Sequence, residues 1–120
     1  MKYLFLLNTP PGWQPTEPGS PEQTELYSAY RRATQAMAAA GVLLDCAPLQ
    51  PASAATTVRV REGETLLTDG PAAEIKEQLG GYTLVECADL DEALKWAATI
   101  PAARDASVEV RPVIAVGVPL

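Results

Sequence analysis

Leu67-Thr-Asp-Gly-Pro-Ala-Ala-Glu-Ile-Lys-Glu-Gln-Leu-Gly-Gly-Tyr82 separates two apolar runs and decides where one piece of β-structure ends and the next begins. Asp69-Gly70-Pro71 breaks the strand before it, because proline lacks the N–H a ladder needs and glycine admits the turn. Gly80-Gly81 then releases the chain into a new apolar run. Between the two breaks stand Asp69, Glu74, Lys76 and Glu77. Charges crowded where the backbone bends are commonly placed for binding or chemistry; a solvated hinge with ordinary surface charges is the other reading. Residues 72–79 fit a short helix or an extended arm equally well.

Upstream, Thr56 to Arg61 alternates, with Thr56, Val58 and Val60 on one face and Thr57, Arg59 and Arg61 on the other. Glu62-Gly63-Glu64 turns the chain and Thr65 to Thr68 returns, a β-hairpin. Val42 to Leu49 reads as a strand ended by Pro48 and Pro51. Before it, Ser20-Pro21-Glu22-Gln23 is a helix start, with Ser20 as cap, Pro21 at the first position and Gln23 completing a capping box. Leu26, Tyr30, Ala33, Met37 and Ala40 follow at helical spacing until Gly41 stops the helix. Lys2 to Leu7 is a short buried strand, and residues 8–19 are a proline-rich loop in which Trp13 is a packing anchor or a stacking platform. Downstream, Gly81 to Ala88 is a strand and Asp89 caps a second helix with Glu92 three residues on. Leu90, Ala93, Leu94 and Ala97 form its apolar stripe, Trp96 flanks it, and Pro101 ends it. Ser107 to Val113 is the last strand, with Val108 and Val110 inward and Glu109 and Arg111 outward. Residues 114–120 form an apolar tail expected to cover something.

The order strand, helix, strand, hairpin, strand, helix, strand places two β-α-β units on one antiparallel sheet. The expected fold is α+β, ferredoxin-like βαββαβ with an inserted β-hairpin, in one domain spanning residues 1–120. Both helices cover the same face of the sheet. The other face is either polar or covered by a partner, and pairing would add burial that a chain of 120 residues can use.

Composition narrows the function. Nine Lys and Arg against 15 Asp and Glu give a net charge of −6. Nucleic acid and acidic membrane surfaces are therefore disfavoured partners. There is no histidine, which removes the Ser-His-Asp and Cys-His arrangements and most zinc sites. Acid–base chemistry must rest on a carboxylate, Lys or Tyr. No phosphate-binding glycine loop or metal-ligand spacing appears, so no cofactor is expected. Cys46 and Cys87 each sit in an apolar run and read as unpaired thiols of a reducing, cytoplasmic compartment. The apolar start is too short for a signal peptide, and no run approaches a membrane span.

Asp69 is the first candidate base: in a partly buried cleft, desolvation raises a carboxylate's pKa toward a useful range. A turn-forming Asp bonding its own backbone is the alternative. Lys76 could pair with Asp69 or hold an anionic substrate, and Glu74 is a reserve carboxylate. If the outward faces of their strands meet a partner, Arg59 and Arg111 line a shared cleft and can clamp a carboxylate or phenolate. If those faces are wet, the charges are ordinary cross-strand pairs.

Several patches together resemble one family. Thr68-Asp69-Gly70-Pro71, Lys76-Glu77-Gln78-Leu79-Gly80-Gly81-Tyr82, Leu90-Asp91-Glu92-Ala93-Leu94 and Val108-Glu109-Val110-Arg111-Pro112 are similar to the YCII-related proteins, in the subgroup with an Asp-Gly-Pro-Phe motif. The opening strand and the hairpin from Ala55 agree, so the resemblance runs from about residue 1 to 113. It implies a ferredoxin-like fold paired into a dimeric α/β barrel, with a cleft between the sheets. In relatives a His and an Asp of that cleft are the suggested catalytic pair, and some members are dehydrochlorinases. Many of the subgroup are encoded near extracytoplasmic-function sigma factors. This chain departs twice: it has no His, the helix position falling nearest Tyr30, and Ala72 stands where the motif has Phe. The resemblance thus points to Asp69, Tyr30 and Lys76 as the catalytic set, with Arg59, Arg111, Glu74, Ala72 and Tyr82 contacting substrate. The expected function is a homodimeric enzyme or binder of a small anionic or phenolic compound, using cofactor-free proton abstraction. The alternative is a non-catalytic regulatory module that binds a protein such as a sigma factor.

Overall fold

The computed structural model describes residues 1–73 and 76–116. In chain order the elements are β1 (Lys2–Thr9), α1 (Pro21–Ala39), β2 (Leu43–Pro48), β3 (Thr56–Arg61), β4 (Glu64–Asp69), β5 (Gln78–Glu86), α2 (Leu90–Ala97), α3 (Ala102–Asp105) and β6 (Ser107–Pro112). A single 3₁₀ turn at Ala52–Ala54 precedes β3. Four strands form one antiparallel sheet in the order β2-β5-β1-β6, and β3 and β4 form a separate two-stranded sheet. The first is the ferredoxin-like order; the second is the inserted hairpin.

The capping residues set the helix ends. The Ser20 hydroxyl accepts the Gln23 N–H at 3.2 Å. The Gln23 side chain, however, takes the N–H of Gly19 at 2.7 Å, so the reciprocal arm of the cap lands one residue earlier than a capping box predicts. Gly41, at φ +77°, ends the helix in the left-handed conformation that glycine adopts without strain. Asp89 accepts the Glu92 N–H at 2.9 Å and starts α2.

Tyr3 and Phe5 of β1 and Val85 of β5 face Ala33 and Met37 of α1 and Ala93 and Ala97 of α2. Alanines let the helices sit close to the sheet. On α2 the buried stripe is narrower than the sequence suggests: Leu90 and Leu94 are exposed, and buried Ile100 takes up the core beyond the helix end. Pro101 not only ends α2 but opens the four-residue α3, which periodicity is too short to reveal. Of the tail, Ile114 is 81% exposed, so the expected cover is not seen in residues 114–116; residues 117–120 lie outside the described part. Among the described residues no helix is long and apolar enough to cross a membrane.

The hairpin differs in two ways from its sequence reading. Its turn has two residues, Glu62 and Gly63, at φ +51° and +79°, while Glu64 already belongs to β4. Positive φ at both positions is the type I′ turn, which fits the twist of the strands and favours Asn first. Glu62→Asn is therefore expected to raise stability by about 0.5–1 kcal/mol, since a non-glycine side chain in this region costs on the order of 1–2 kcal/mol and Asn tolerates it best. Thermal unfolding of the two proteins checks this. Secondly, the apolar side is the open one: Val58 and Val60 are exposed while Thr57 and Arg59 are half-buried, because among the described residues no layer covers the valines.

Candidate functional site

With both helices on one side, the other side of the four-stranded sheet is open. Strand alternation fixes what it presents. From β1 come Leu4, Leu6 and Asn8; opposite them on β6 stand Arg111, Glu109 and Ser107. From β5 come Tyr82 and Leu84, paired with Leu6 and Leu4. From β2 comes Asp45, opposite Leu84.

The alternation along β5 is interrupted once. Leu7 pairs with Gly81, but Asn8 pairs with Leu79, so Gly80 is an extra residue. Such a bulge re-aims the side chains beyond it. Without it, Gly80 and Gln78 would share the open face with Tyr82. With it, Leu79 does. The glycine pair is demanded by the close approach of the neighbouring strands. A Cβ on Gly80 would lie 2.7 Å from Thr9 Cγ2, and one on Gly81 would lie 2.9 Å from the Ala47 carbonyl oxygen. These same contacts extend β5 three residues back from its sequence-derived start, through two residues that normally weaken strands.

Just before β5, the bend at Glu77 brings its side chain to β6. Its carboxylate accepts a hydrogen bond from the Ser107 hydroxyl, which in turn accepts one from Asn8 Nδ2 at 3.1 Å. Asn8 of β1, Ser107 of β6 and Glu77 of the bend leading into β5 thus form a polar row at one end of a face whose middle is leucine. Farther along, Arg111 Nε and Glu109 pair at 2.6 Å, both largely exposed. On the opposite side the Tyr82 hydroxyl donates to Asp45 Oδ2 at 2.9 Å. That bond, with the negative charge and slight desolvation acting the same way, raises the phenol above its ordinary pKa, so at neutral pH Tyr82 is a donor and not a base.

The residues singled out in the sequence fall into three places. Arg111 and Tyr82 stand on the open face. Asp69 closes β4 at the root of the hairpin, exposed and opposite Thr56. The turn after it is tied to β3, with Thr57 Oγ1 donating to the Gly70 carbonyl at 2.7 Å and Arg59 Nη2 to that of Ala72 at 3.4 Å. Arg59 and Ala72 therefore meet, but on the hairpin and away from Arg111. Tyr30 packs against the core on the helix side of the sheet, where burial first and then the charge of Asp105 raise its pKa. Lys76 is exposed, and among the described residues no hydrogen bond or ion pair joins Tyr30, Asp69 or Lys76 to one another. Glu74 lies outside the described residues. The sequence reading passed over Asn8, Ser107 and Asp45. The signal for Asn8 was available: Lys2, Leu4, Leu6 and Asn8 continue one alternation that the reading stopped at Leu7.

Among the described residues no cluster of three or more Cys, Asp and Glu converges as a metal site would. The two thiols are free and unequal: Cys46 is half-buried and Cys87 buried. Burial, with Glu92 nearby, pushes the Cys87 thiol up to about 11. Since the thiolate is the nucleophile, alkylation at pH 8 is expected to label Cys46 and spare Cys87, as peptide mass mapping would show. Equal labelling would mean that the sheet and α2 open readily.

Three comparisons with known proteins bear on this geometry. A family model described as the YCII-related domain matches residues 1–116. An uncharacterized protein of Rhizobium meliloti (strain 1021) is 51% identical over 75 residues, which is 61% of this chain and 60% of that protein's length. Among solved structures, the 5-chloro-2-hydroxyhydroquinone dehydrochlorinase of Burkholderia phenoliruptrix AC1100, in complex with 2,5-dihydroxybenzoquinone, superposes with a TM-score of 0.50. That similarity covers 95% of this chain and 94% of the other at 16% identity.

Proposed function

Because the chain belongs to the YCII-related domain family, we propose that it takes a small anionic or phenolic compound on the open face of its sheet and moves a proton on it without a cofactor. A bare sheet face is a floor without walls. The proposal therefore includes a second copy, paired in the manner of a dimeric α/β barrel, as the far wall. The observation that carries the reading is the row Asn8–Ser107–Glu77 on an otherwise leucine-rich surface. Glu77 is the base: its carboxylate takes the proton, and the electron pair left on the compound is spread into its ring or carbonyl. The Arg111 guanidinium lies on the same face to meet the resulting negative charge. Isomerisation and elimination both begin with this step. The fold shared with a dehydrochlorinase that was solved with a dihydroxybenzoquinone makes hydroxylated quinones and phenolic acids the first compounds to try.

The test is a thermal-shift screen of such compounds against the protein and two variants, Glu77→Gln and Asp69→Asn. A ligand at ~100 times its Kd should stabilise by about 2.7 kcal/mol. Where turnover is found, Glu77→Gln should reduce it roughly 10²–10⁴-fold. Loss of turnover in Asp69→Asn alone, with Glu77→Gln active, would move the base to the root of the hairpin.

One observation favours a second reading, a regulatory module that binds another protein, a sigma factor being one candidate. Ile114 and Val116 are exposed beside Val113 at the end of β6, an apolar segment without cover among the described residues. A failed compound screen together with capture of a sigma factor by the intact chain, lost when Ile114 and Val116 become Ser, would replace the first reading with this one.

A further inference from the structure

The hydrogen count of the row Asn8–Ser107–Glu77 fixes which group does what. A serine hydroxyl has one proton to give and two lone pairs to offer. The Ser107 hydroxyl gives its proton to Glu77 Oε1 and accepts from Asn8 Nδ2 at 3.1 Å. Were the Asn8 amide turned over, its oxygen and the carboxylate would compete for that one proton, and one of them would be left unpaired. An ionised Glu77 therefore holds the amide with Nδ2 toward Ser107. Asn8 keeps its second N–H and Glu77 its other oxygen, and among the described residues no hydrogen bond engages either. The other neutral pair of the face is made differently. Asp45 accepts the Cys46 N–H at 2.8 Å through Oδ1 and the Tyr82 hydroxyl at 2.9 Å through Oδ2. That phenol has committed its proton and offers only lone pairs to a ligand. At the row a neutral donor and a free acceptor stand side by side.

Resting on the small-molecule reading above, we propose that this row selects a planar ring with oxygens on next-but-one carbons, one a hydroxyl and the other a carbonyl or second hydroxyl. The hydroxyl donates to Glu77, and the other oxygen accepts the second N–H of Asn8. Two bonds of ordinary length meeting at the Ser107 oxygen hold the amide nitrogen and the carboxylate about 5 Å apart. Oxygens on next-but-one ring carbons have a similar separation, and they can aim a proton and a lone pair in parallel, as straight hydrogen bonds require. Oxygens on neighbouring carbons sit too close together to meet both ends, and a hydroxyl there turns to its neighbour. Oxygens across the ring point in opposite directions. Leu79, 42% exposed and opposite Asn8, and Leu6, two residues before Asn8 on the same face, give the ring an apolar floor. When the hydroxyl proton passes to Glu77, its O–H bond breaks and a carboxyl O–H forms. The charge left behind is shared with the second oxygen, where the Asn8 N–H meets it. Asn8 is thus a specificity residue. Ser107 is a positioning residue: its hydroxyl holds the amide and the carboxylate in one line.

The test is NMR titration of the isotope-labelled protein with three isomeric diols, resorcinol, catechol and hydroquinone, kept under argon. Resorcinol should bind about 10-fold more tightly than either isomer, the effect of one hydrogen bond made in one complex and missing from the others. It should also shift the side-chain amide signals of Asn8. The preference should vanish in Asn8→Ala and in Ser107→Ala and persist in Ser107→Thr, which keeps the hydroxyl. The same spectra show whether each variant is folded, and the preference of the unaltered protein is measured without them. Equal binding of the isomers, a preference for catechol or hydroquinone, or a resorcinol preference that survives Asn8→Ala overturns the selection and leaves a small-molecule site standing. No shift at Leu6, Leu79 or Asn8 with any isomer at millimolar concentration also overturns it, and the small-molecule reading is then decided by the thermal-shift screen alone.

Discussion

Phe5→Ala is expected to remove about 3–5 kcal/mol of stability, the cost of emptying a buried aromatic site. Phe5 is 0% exposed in the middle of β1, a central strand, between Thr83 of β5 and Val110 of β6. Its ring points to the helix side, where the alanines of the covering helices are too short to fill the space it would vacate. Met37 has the length and flexibility to swing in. Against a typical total of 5–15 kcal/mol, the loss takes a large part of the whole and should lower the thermal midpoint by about 10–20 °C. Far-UV circular dichroism at one fixed protein concentration checks it, since any self-association would make the midpoint concentration-dependent. A shift below ~3 °C would mean that Met37 or its neighbours collapse into the cavity and that Phe5 is not the centre of the core.

Gly81→Ala comes next, at about 2–3 kcal/mol, the range for overpacking a site that cannot yield. The added Cβ meets the Ala47 carbonyl oxygen at 2.9 Å, and that oxygen belongs to the backbone of β2. Retreat of either strand breaks the pairing at Pro48 and Gly81. Gly80→Ala is the control. There the contact is the Thr9 methyl, which can rotate away by giving up the hydrogen bond from Thr9 Oγ1 to the Gln78 carbonyl. The Gly80 variant should therefore lose less than the Gly81 variant in urea unfolding. The reverse order would show that the bulge is more rigid than the strand pair beside it.

What could be read from the sequence followed from local signals. Ser20-Pro21, Gly41 and Asp89 fixed the helix ends because each satisfies or stops a backbone locally. The strand order came from alternation and from the turn residues between runs. The α+β fold was legible on these grounds, and the YCII-related family through the resemblance of patches such as Thr68–Pro71 and Lys76–Tyr82. Three things were not. The site row depends on where the bend at Glu77 sends its side chain, and the register beside it turns on Gly80 being a bulge, which nothing in a glycine pair distinguishes from the end of a turn until strands lie on both sides of it. Leu90 and Leu94 look like the core face of α2, but burial was settled by where Ile100 packs after the helix. The hairpin valines look inward-facing by pattern alone. Alternation says which residues share a face; it does not say whether the same chain covers it.

The Gly80 bulge also bears on how relatives diverge. Substitutions around it alter one side chain at a time. Loss of the single codon for Gly80 would remove only the extra residue: Leu79 would then follow Gly81 in regular alternation and stay opposite Asn8 on the open face, with Gln78 still off it. A one-residue gap at this position, found when family members are aligned, would therefore leave the chemistry of the face intact, so chains that differ in length here can present the same side chains on the same fold.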